Sequence, residues 1–382
     1  MAEVTTHKNV YAIASNITSA MGLDTIAHWK GVSEKKSPIK EHDGLTESKE
    51  SYWASKLNEE QWKEIKEGVS TQQDLPLFET LCLYSIQEAL AVLNEPIDTA
   101  NTILILSTTK GNIEWLNQVE DCGIALHKSA SILAKEVGIT NKPIVVSHAC
   151  VSGAVALHYA QRLIQSGRCE NAIVVGCDKF TGFVLNGFQS FQAIASGPCR
   201  PFDKDRTGIN LGEAAATIIL SSTSRSDDDV QLLSGATSND ANHISGPSRT
   251  GAELSYAIDR AMSLAGLQAS DIGMISAHGT ATPYNDEMEA KAINLSGLNN
   301  VPVHSMKSYT GHTLGAAGVL ESVMIVEAIK HNQLIPSLGY KQHGVPVPLN
   351  VTTELQNASL HYVLKTASGF GGCNAALVWG RP

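Results

Sequence analysis

The chain is short of positive charge: 28 lysines and arginines stand against 38 acidic residues, for a formal net charge of −10 over 382 residues. That deficit argues against a nucleic-acid binder, which needs a broad basic surface to neutralise phosphates. No stretch approaches the roughly 18 consecutive apolar residues that a membrane span requires. The opening "MAEVTTHKNVYAIASNITSAMG" has no basic segment leading into a long apolar run, so a secretory signal is not expected. The seven cysteines (82, 122, 150, 169, 177, 199 and 373) form no Cys-x-x-Cys pair, which removes the zinc and thioredoxin-type motifs. With 43% hydrophobic residues the chain supports a core of its own and needs no disulfide framework. A cytoplasmic, reduced protein is the expectation.

What is present alternates. The unbroken β-branched runs "TILILS" (102–107), "PIVVS" (143–147), "NAIVVGC" (171–177) and "ATIIL" (216–220) predict strands buried on both faces. Between two of them, "GAVALHYAQRLIQ" (153–165) puts Leu157, Ala160 and Ile164 on one helical face. The pattern is α/β. The polar stretch "SSTSRSDDDVQ" (221–231) marks a boundary that divides the chain into 1–230 and 231–382. Beyond it a second series follows: helix "GAELSYAIDRAMSLAG", strand "IGMIS", strand "VPVHSM", a helix within "LGAAGVLESVMIVEAIKH", and two strands around the turn in "SLHYVLKTASGFGGCNAALVWG". Both segments thus run strand, loop with Cys or His, long helix, which points to a duplicated architecture. Residues 32–75, polar and rich in Lys and Glu, read as surface helices and loops.

Four stretches can carry chemistry. In "VSHACVSGA" (147–155), Cys150 sits between a strand and a helix beginning near Ser152, where a helix N-terminus favours thiolate. A buried packing cysteine fits the same nine residues, and is the commoner fate of a free thiol. In "AHGTATPYNDEMEAKA" (277–292), His278 follows a strand and precedes Thr280, Thr282 and Pro283, which suits either a cleft histidine or one satisfying its own loop. In "MKSYTGHTLGAAGVLES" (306–322), Lys307 lies five residues before His312, near enough to keep that imidazole neutral, or else is a solvated charge. In "SGFGGCN" (368–374), three glycines around Phe370 make a turn whose backbone N–H groups can approach a ligand, without the pattern of a phosphate loop.

One thiol, two histidines and a donor turn, all at strand ends, match the needs of acyl-thioester chemistry. A thiolate attacks the thioester and backbone N–H groups hold the oxyanion. A Cys/His hydrolase needs one histidine and an orienting Asn or Asp. Two histidine-bearing loops favour carbon–carbon bond formation instead.

The motifs "ACVSG", "CRPFDKDRTGINLGEAAATIIL" (199–220), "SNDANHISGPSRTG" (238–251), "HGTATP", "KSYTGHTLGAAG" and "GFGGCNAAL" occur in this order. In that order the chain resembles the elongating β-ketoacyl-acyl-carrier-protein synthases, condensing enzymes of the thiolase superfamily. The resemblance implies a thiolase-like fold of two similar halves layered α-β-α-β-α. It implies Cys150 as acyl-accepting nucleophile, with His278 and His312 assisting decarboxylation and condensation. Lys307 would tune the histidines, with Glu321 its partner. Thr280, Thr282 and Phe188 would line the substrate path, and Phe370 would act as a gate whose N–H joins that of Cys150 in the oxyanion hole. No metal or organic cofactor is implied, since phosphopantetheine arrives on an acyl carrier protein. The implied assembly is a homodimer, or a heterodimer with another ketosynthase-like subunit. Lys204 and Arg206 are candidates for a basic contact with the acidic carrier, though "RPFDKDR" equally suits a structural role.

The sequence departs from the resembled pattern in three places. It lacks the usual "TG" after the first strand, has Ser368 for an aromatic, and has a shortened span between "ILSTTKG" and "VVSHAC". That span contributes in the family to the pairing surface and the acyl-pocket floor, so reshaping of the pocket is expected. Cys373, where the family has Thr, reads as a substitution rather than a thiolase acid/base. Two rivals stand beside the synthase reading: a non-catalytic chain-length partner of a heterodimeric ketosynthase, and an acyl-thioester hydrolase.

Overall fold

The computed structural model describes residues 8–44, 51–116, 123–241 and 246–381. Ten strands form one sheet: β1 (Tyr11–Ser19), β2 (Thr102–Ser107), β3 (Ile144–Val146), β4 (Asn171–Asp178), β5 (Ala214–Ser221), β6 (Val230–Asn239), β7 (Ile272–Ser276), β8 (Val303–His304), β9 (Tyr362–Gly369) and β10 (Cys373–Gly380). Their spatial order is β8-β7-β9-β10-β6-β1-β5-β4-β2-β3. Read within each segment, the five strands follow the same permutation, third-second-fourth-fifth-first. The orientations repeat too. β2 is parallel to β3 and β4, as β7 is to β8 and β9, and the remaining pairs within each half are antiparallel. The two first strands join the halves through a brief antiparallel contact, Tyr11 opposite Gln231 and Ala12 opposite Val230.

Six helices complete the layers: α1 (Leu77–Ala91), α2 (Leu126–Glu136), α3 (Ser152–Gln165), α4 (Ala252–Ala265), α5 (Pro283–Leu295) and α6 (Ala317–His331). α3 and α6 pack on each other and on strands of both halves, whereas α1 and α2 cover the first half-sheet and α4 the second, with α5 against α4. The order is therefore α-β-α-β-α, as expected. The unbroken apolar runs follow from this layering. In β4, Ala172 and Val174 enter the core around α3 and α6, while Ile173, Val175 and Cys177 enter the core under α1. In β10, Ala375, Leu377 and Trp379 face the central core and Ala376 and Val378 the outer one under α4. A strand buried on both faces has no position to leave polar.

The predicted strand at 102–107 and that at 272–276 match β2 and β7 residue for residue, and the closing pair matches β9 and β10. "VPVHSM" yields only the two-residue β8. The reading of 32–75 as surface elements is corrected in one place. Tyr52–Ser55 is a strand with Tyr52, Ala54 and Ser55 buried, paired in parallel with Leu211 and Gly212. Its alternation is too short to stand out among the polar residues around it.

The first turns of α3 and α6 meet at glycine. A Cβ at Gly318 would lie 2.3 Å from the backbone nitrogen of Ala154, and one at Gly153 would lie 2.8 Å from that of Val319. No other residue permits that approach, and it brings the loop before α3 against the loop before α6.

Candidate active site

Cys150 lies between β3 and α3, just after Ala149, whose φ of +46° is in the left-handed region. That strained residue reverses the chain and turns Cys150 inward, an arrangement that persists only where the surroundings impose it. Ser152 provides part of the restraint, its Oγ accepting from His148 N at 2.7 Å and donating to Ala149 O at 2.6 Å. The glycine turn between β9 and β10 presses on the same loop. A Cβ at Gly369 would sit 3.1 Å from Cys150 N, and the Phe370 N–H donates a hydrogen bond to the Cys150 thiol. At Gly372 (φ +74°) a Cβ would fall 1.8 Å from Asp240 O, so the turn closes only with glycine there.

Burial pushes the Cys150 thiol up to about 11, against the pull of Lys307 and Lys110. This corrects the expectation that the helix N-terminus favours thiolate: desolvation of the charged form outweighs it, and the resting group is a thiol.

His278 follows β7 by two residues and is buried. Its backbone N–H and that of Gly279 donate to the two oxygens of Glu289 at 2.8 and 2.7 Å, and those of Thr280 and Ala281 donate to Asp286 Oδ1. Two carboxylates from α5 thus hold the whole loop. Pro283 at the first position of α5 fixes where that helix begins. His312 is held from the other side, its N–H donating to Asn210 O at 2.7 Å and its carbonyl accepting from Gly212 N at 3.0 Å. The two imidazoles stand edge to face with centroids 5.4 Å apart.

Lys307 is fully buried, not solvated. Its ammonium donates to Glu321 Oε1 at 2.7 Å and to His278 O at 2.6 Å, and lies 3.3 Å from His278 Nδ1. The expected influence of Lys307 on His312 holds through its charge, while its direct contact is with His278. The short helix Lys307–Thr310 and the reversal at Gly311 direct the side chain to His278 instead. Its charge still reaches both rings. Burial first, then Lys307, hold His278 and His312 well below the ordinary imidazole range, so both are neutral. Glu321, between Lys307 and Lys365, stays below the usual carboxylate range because the two ammonium groups overcome the effect of burial.

A cavity of about 440 Å³ collects Cys150, His278, His312, Thr280, Thr282, Phe188 and Phe370 on one wall system. Thr280 and Thr282 share a 2.8 Å hydrogen bond between their hydroxyls. Lys307 and Glu321 do not line the cavity and stand behind His278. At the mouth, Phe370 packs against Phe188 and Phe191, with centroids 5.8 and 5.2 Å apart. Arg206 is withdrawn as a partner-facing cation. Its guanidinium is nearly buried and donates to Asp203 O and Gly344 O at 2.9 and 2.6 Å, while Lys204 is exposed.

Residues 104–226 match the family domain described as "Beta-ketoacyl synthase, N-terminal domain", and residues 231–341 match "Beta-ketoacyl synthase, C-terminal domain", together more than half of the chain. The chain belongs to the β-ketoacyl synthase family. It is 35% identical over 247 residues to the 3-oxoacyl-[acyl-carrier-protein] synthase 2 of Mycobacterium leprae (strain TN), covering 61% of this chain and 59% of that relative. The match thus spans about three fifths of the relative's length. Among solved structures it is similar to a chain of the complex of the ketosynthase ApeO with its chain length factor ApeC from Xenorhabdus doucetiae, with a TM-score of 0.84, 25% identity and 98% of both chains covered. It also superimposes on the ishigamide ketosynthase/chain length factor, with a TM-score of 0.88, 24% identity, and 98% of this chain and all of that one covered. The thiolase-like fold expected from the motifs is the one these ketosynthases share.

Several residues of this family member's site escaped sequence reasoning. Asp178, at the end of β4, accepts from Thr108 Oγ1, from the N–H groups of Thr109 and Lys110, and from Gly315 N at 2.7 Å, tying the loop after β2 to the loop before α6. Glu289 and Asp286 do the same for the His278 loop. The signal was an acidic residue closing an apolar strand and two more in the first two turns of a helix, which single residues rarely make legible. Cys373 stands 2.6 Å from His148 Nε2 and outside the cavity. The shortened span includes residues 117–122, and the 238–251 motif includes 242–245, both outside the described residues.

Proposed function

We propose that this chain is a condensing enzyme that extends an acyl thioester by decarboxylative Claisen condensation with a malonyl unit, both delivered on acyl carrier protein. The observation that carries the reading is the convergence on one cavity of a thiol and two neutral imidazoles, each with a ring nitrogen committed elsewhere. Nδ1 of His312 accepts from Leu314 N, and Nδ1 of His278 faces the Lys307 ammonium. Each ring therefore carries its hydrogen on Nε2, and each is a donor rather than a base.

In the first half-reaction Cys150 Sγ forms a bond to the thioester carbonyl. The oxyanion is held by the N–H groups of Cys150 and Phe370, and the pantetheine sulfur leaves with the proton that Cys150 gave up. In the second, the malonyl carboxylate departs as CO2 and its electron pair enters an enolate whose oxygen accepts from Nε2–H of His278 and His312. The α-carbon then attacks the acyl-Cys150 carbonyl, the C–S bond breaks, and the thiolate takes up one proton from solvent. The reading uses no metal or organic cofactor resident on the chain. Thr280 and Thr282 would guide the pantetheine, with Phe188 and Phe370 bordering the acyl path.

The carrier protein is the proposed partner, with exposed Lys204 a candidate contact. A second ketosynthase-like subunit, or a second copy, is the proposed neighbour. The half-exposed edge strand β3 leads directly into the Cys150 loop, and one similar solved structure is a complex of a ketosynthase with its chain length factor. A cytoplasmic setting belongs to the same proposal. No described helix is long and apolar enough to cross a membrane.

Intact-mass measurement after incubation with acyl-carrier protein tests the reading. Acyl mass on the wild type but not on Cys150→Ala, followed by malonyl-dependent β-ketoacyl product, is the expected result. Protein that never acquires acyl mass fits the non-catalytic subunit instead, and free acid without malonyl dependence fits a hydrolase.

A further inference from the structure

Lys365 is a fully buried cation in the middle of β9, and nothing in the proposed chemistry asks for it. Its ammonium lies 2.7 Å from Glu321 Oε2 and 3.4 Å from Ser276 O, and also donates to the carbonyl of Thr366. It does not line the cavity. Glu321 therefore bridges two ammonium groups, one on each oxygen: Lys365 on Oε2, and on Oε1 the Lys307 that reaches His278. A strand interior packed among Val363, Leu364 and Ala367 would take an aliphatic residue at lower desolvation cost. The charge demands a reason.

We propose that Lys365 is a positioning residue, which fixes the Glu321 carboxylate so that Lys307 is aimed at His278 and closes the charge balance of the buried cluster that keeps both histidines neutral. The inference rests on the condensing function proposed above.

The groups around Lys365 make the balance explicit. Glu321 faces it from α6, Glu289 from α5, Lys307 from the turn after β8, and His304 from β8, with His278 and His312 beyond. Two ammonium groups and two carboxylates sum to zero with every histidine neutral. Glu289 is pinned by the N–H groups of His278 and Gly279 and by Thr366, the residue next to Lys365. His304 is buried with neither ring nitrogen hydrogen-bonded among the described residues, and burial lowers it to about 3, so it offers the cluster no compensating charge at neutral pH. Without Lys365 the cluster carries one net negative charge, which raises the proton affinity of the nearest imidazole, so that it is protonated at a higher pH than in the wild type. A proton on His278 Nδ1 would then point at Lys307, and the contact that orients the ring is lost.

The test compares Lys365→Met with the double variant Lys365→Met/Glu321→Gln, which removes one charge of each sign and leaves an amide oxygen at position 321 able to accept from Lys307. Lys365→Gln replaces Lys365→Met if the latter does not fold. Condensation is followed against pH, and His278 protonation is read independently by NMR of histidine-labelled protein, its signal assigned by loss in His278→Asn. The single variant should keep Cys150 acylation within about twofold, while the acid limb of condensation and the His278 titration both move up by about one pH unit. That shift makes condensation about tenfold slower on the acid side, and the double variant should return the limb toward the wild type. A folded single variant with an unmoved His278 titration, or one slowed equally at all pH with an unmoved limb, overturns the role. Wild type that acylates Cys150 yet makes no β-ketoacyl product overturns the condensing function instead, and the NMR titration still decides the part played by Lys365.

Discussion

The backbone N–H of Leu314 donates to Nδ1 of His312 at 3.3 Å, and the other ring nitrogen of that buried imidazole has no protein partner among the described residues. The tautomer follows from this one contact, since a nitrogen that accepts cannot carry the hydrogen. Leu314 itself is held in the left-handed region, at φ +51°, by the 314–316 turn that precedes α6. Strain at one residue thus sets the polarity of the neighbouring ring.

Substitution of the donor distinguishes its role from that of the thiol. His312→Ala should lower condensation by about 10²–10³, the usual loss for one oxyanion donor, with Cys150 acylation largely kept. His312→Gln, whose amide can present a donor near the same point, should recover part of the rate. Equal activity of the two variants in a malonyl-dependent assay would count against a donor role.

Cys150 should react as a thiol whose ionisation burial suppresses. With its pKa raised to about 11, alkylation by iodoacetamide should climb roughly tenfold per pH unit from 7 to 10 and show no plateau there. Lys110→Met, which removes a charge that favours the thiolate, should slow the reaction further. A plateau below pH 8 in the rate profile would contradict the buried-thiol assignment.

His28 makes stability depend on acid. Burial lowers it from 6.5 to about 4, where its ring nitrogens lie 2.7 Å from Ser19 Oγ and 2.7 Å from Asp24 O. The unfolded chain binds the proton first as pH falls, so stability is complete above 6.5 and is lost progressively towards pH 4. The full span corresponds to about 3 kcal/mol. Urea titrations at pH 7 and 4.5 should show this loss, and His28→Gln should remove only the share due to His28, because His278, His304 and His312 are also buried neutral and add to the acid dependence.

Gly318→Ala should force α3 and α6 apart, because its new methyl group would meet the Ala154 backbone at 2.3 Å. The expected cost is about 1–3 kcal/mol, as for other overpacked positions, together with reduced acylation of Cys150. Gly187→Ala, on a helix with nothing within 4 Å of the added atom, should leave thermal unfolding unchanged or slightly raised.

Much of the fold and of the site is legible in the sequence. β2 and β4 announced themselves because two-sided burial leaves unbroken apolar runs, the β9–β10 pair because two extended stretches flank a glycine-rich turn, and the Cys150, His278, His312 and Phe370 stretches each followed a predicted strand. The buried strand Tyr52–Ser55 did not, since four residues inside a polar region carry no usable period. Nor did the choice of histidine by Lys307, because separation along the chain says nothing about which way a side chain turns after a glycine. The suppressed ionisation of Cys150 is a property of everything packed around it, and no short window contains that. Lys365, a lysine in a strand, reads as a solvent-facing position until burial on both faces is known.

The central layer has one further implication. α3 and α6 each lie against strands of both half-sheets, so the inner face of either half is finished only by the other. Separated at 230/231, each piece would present a wall of aliphatic side chains to water, along with an unpaired edge at β1 or β6. The repeated topology therefore does not make the two segments independent. Thiol and imidazoles come from opposite segments, so the reactive centre comes into being only at the step where the two inner faces close on one another.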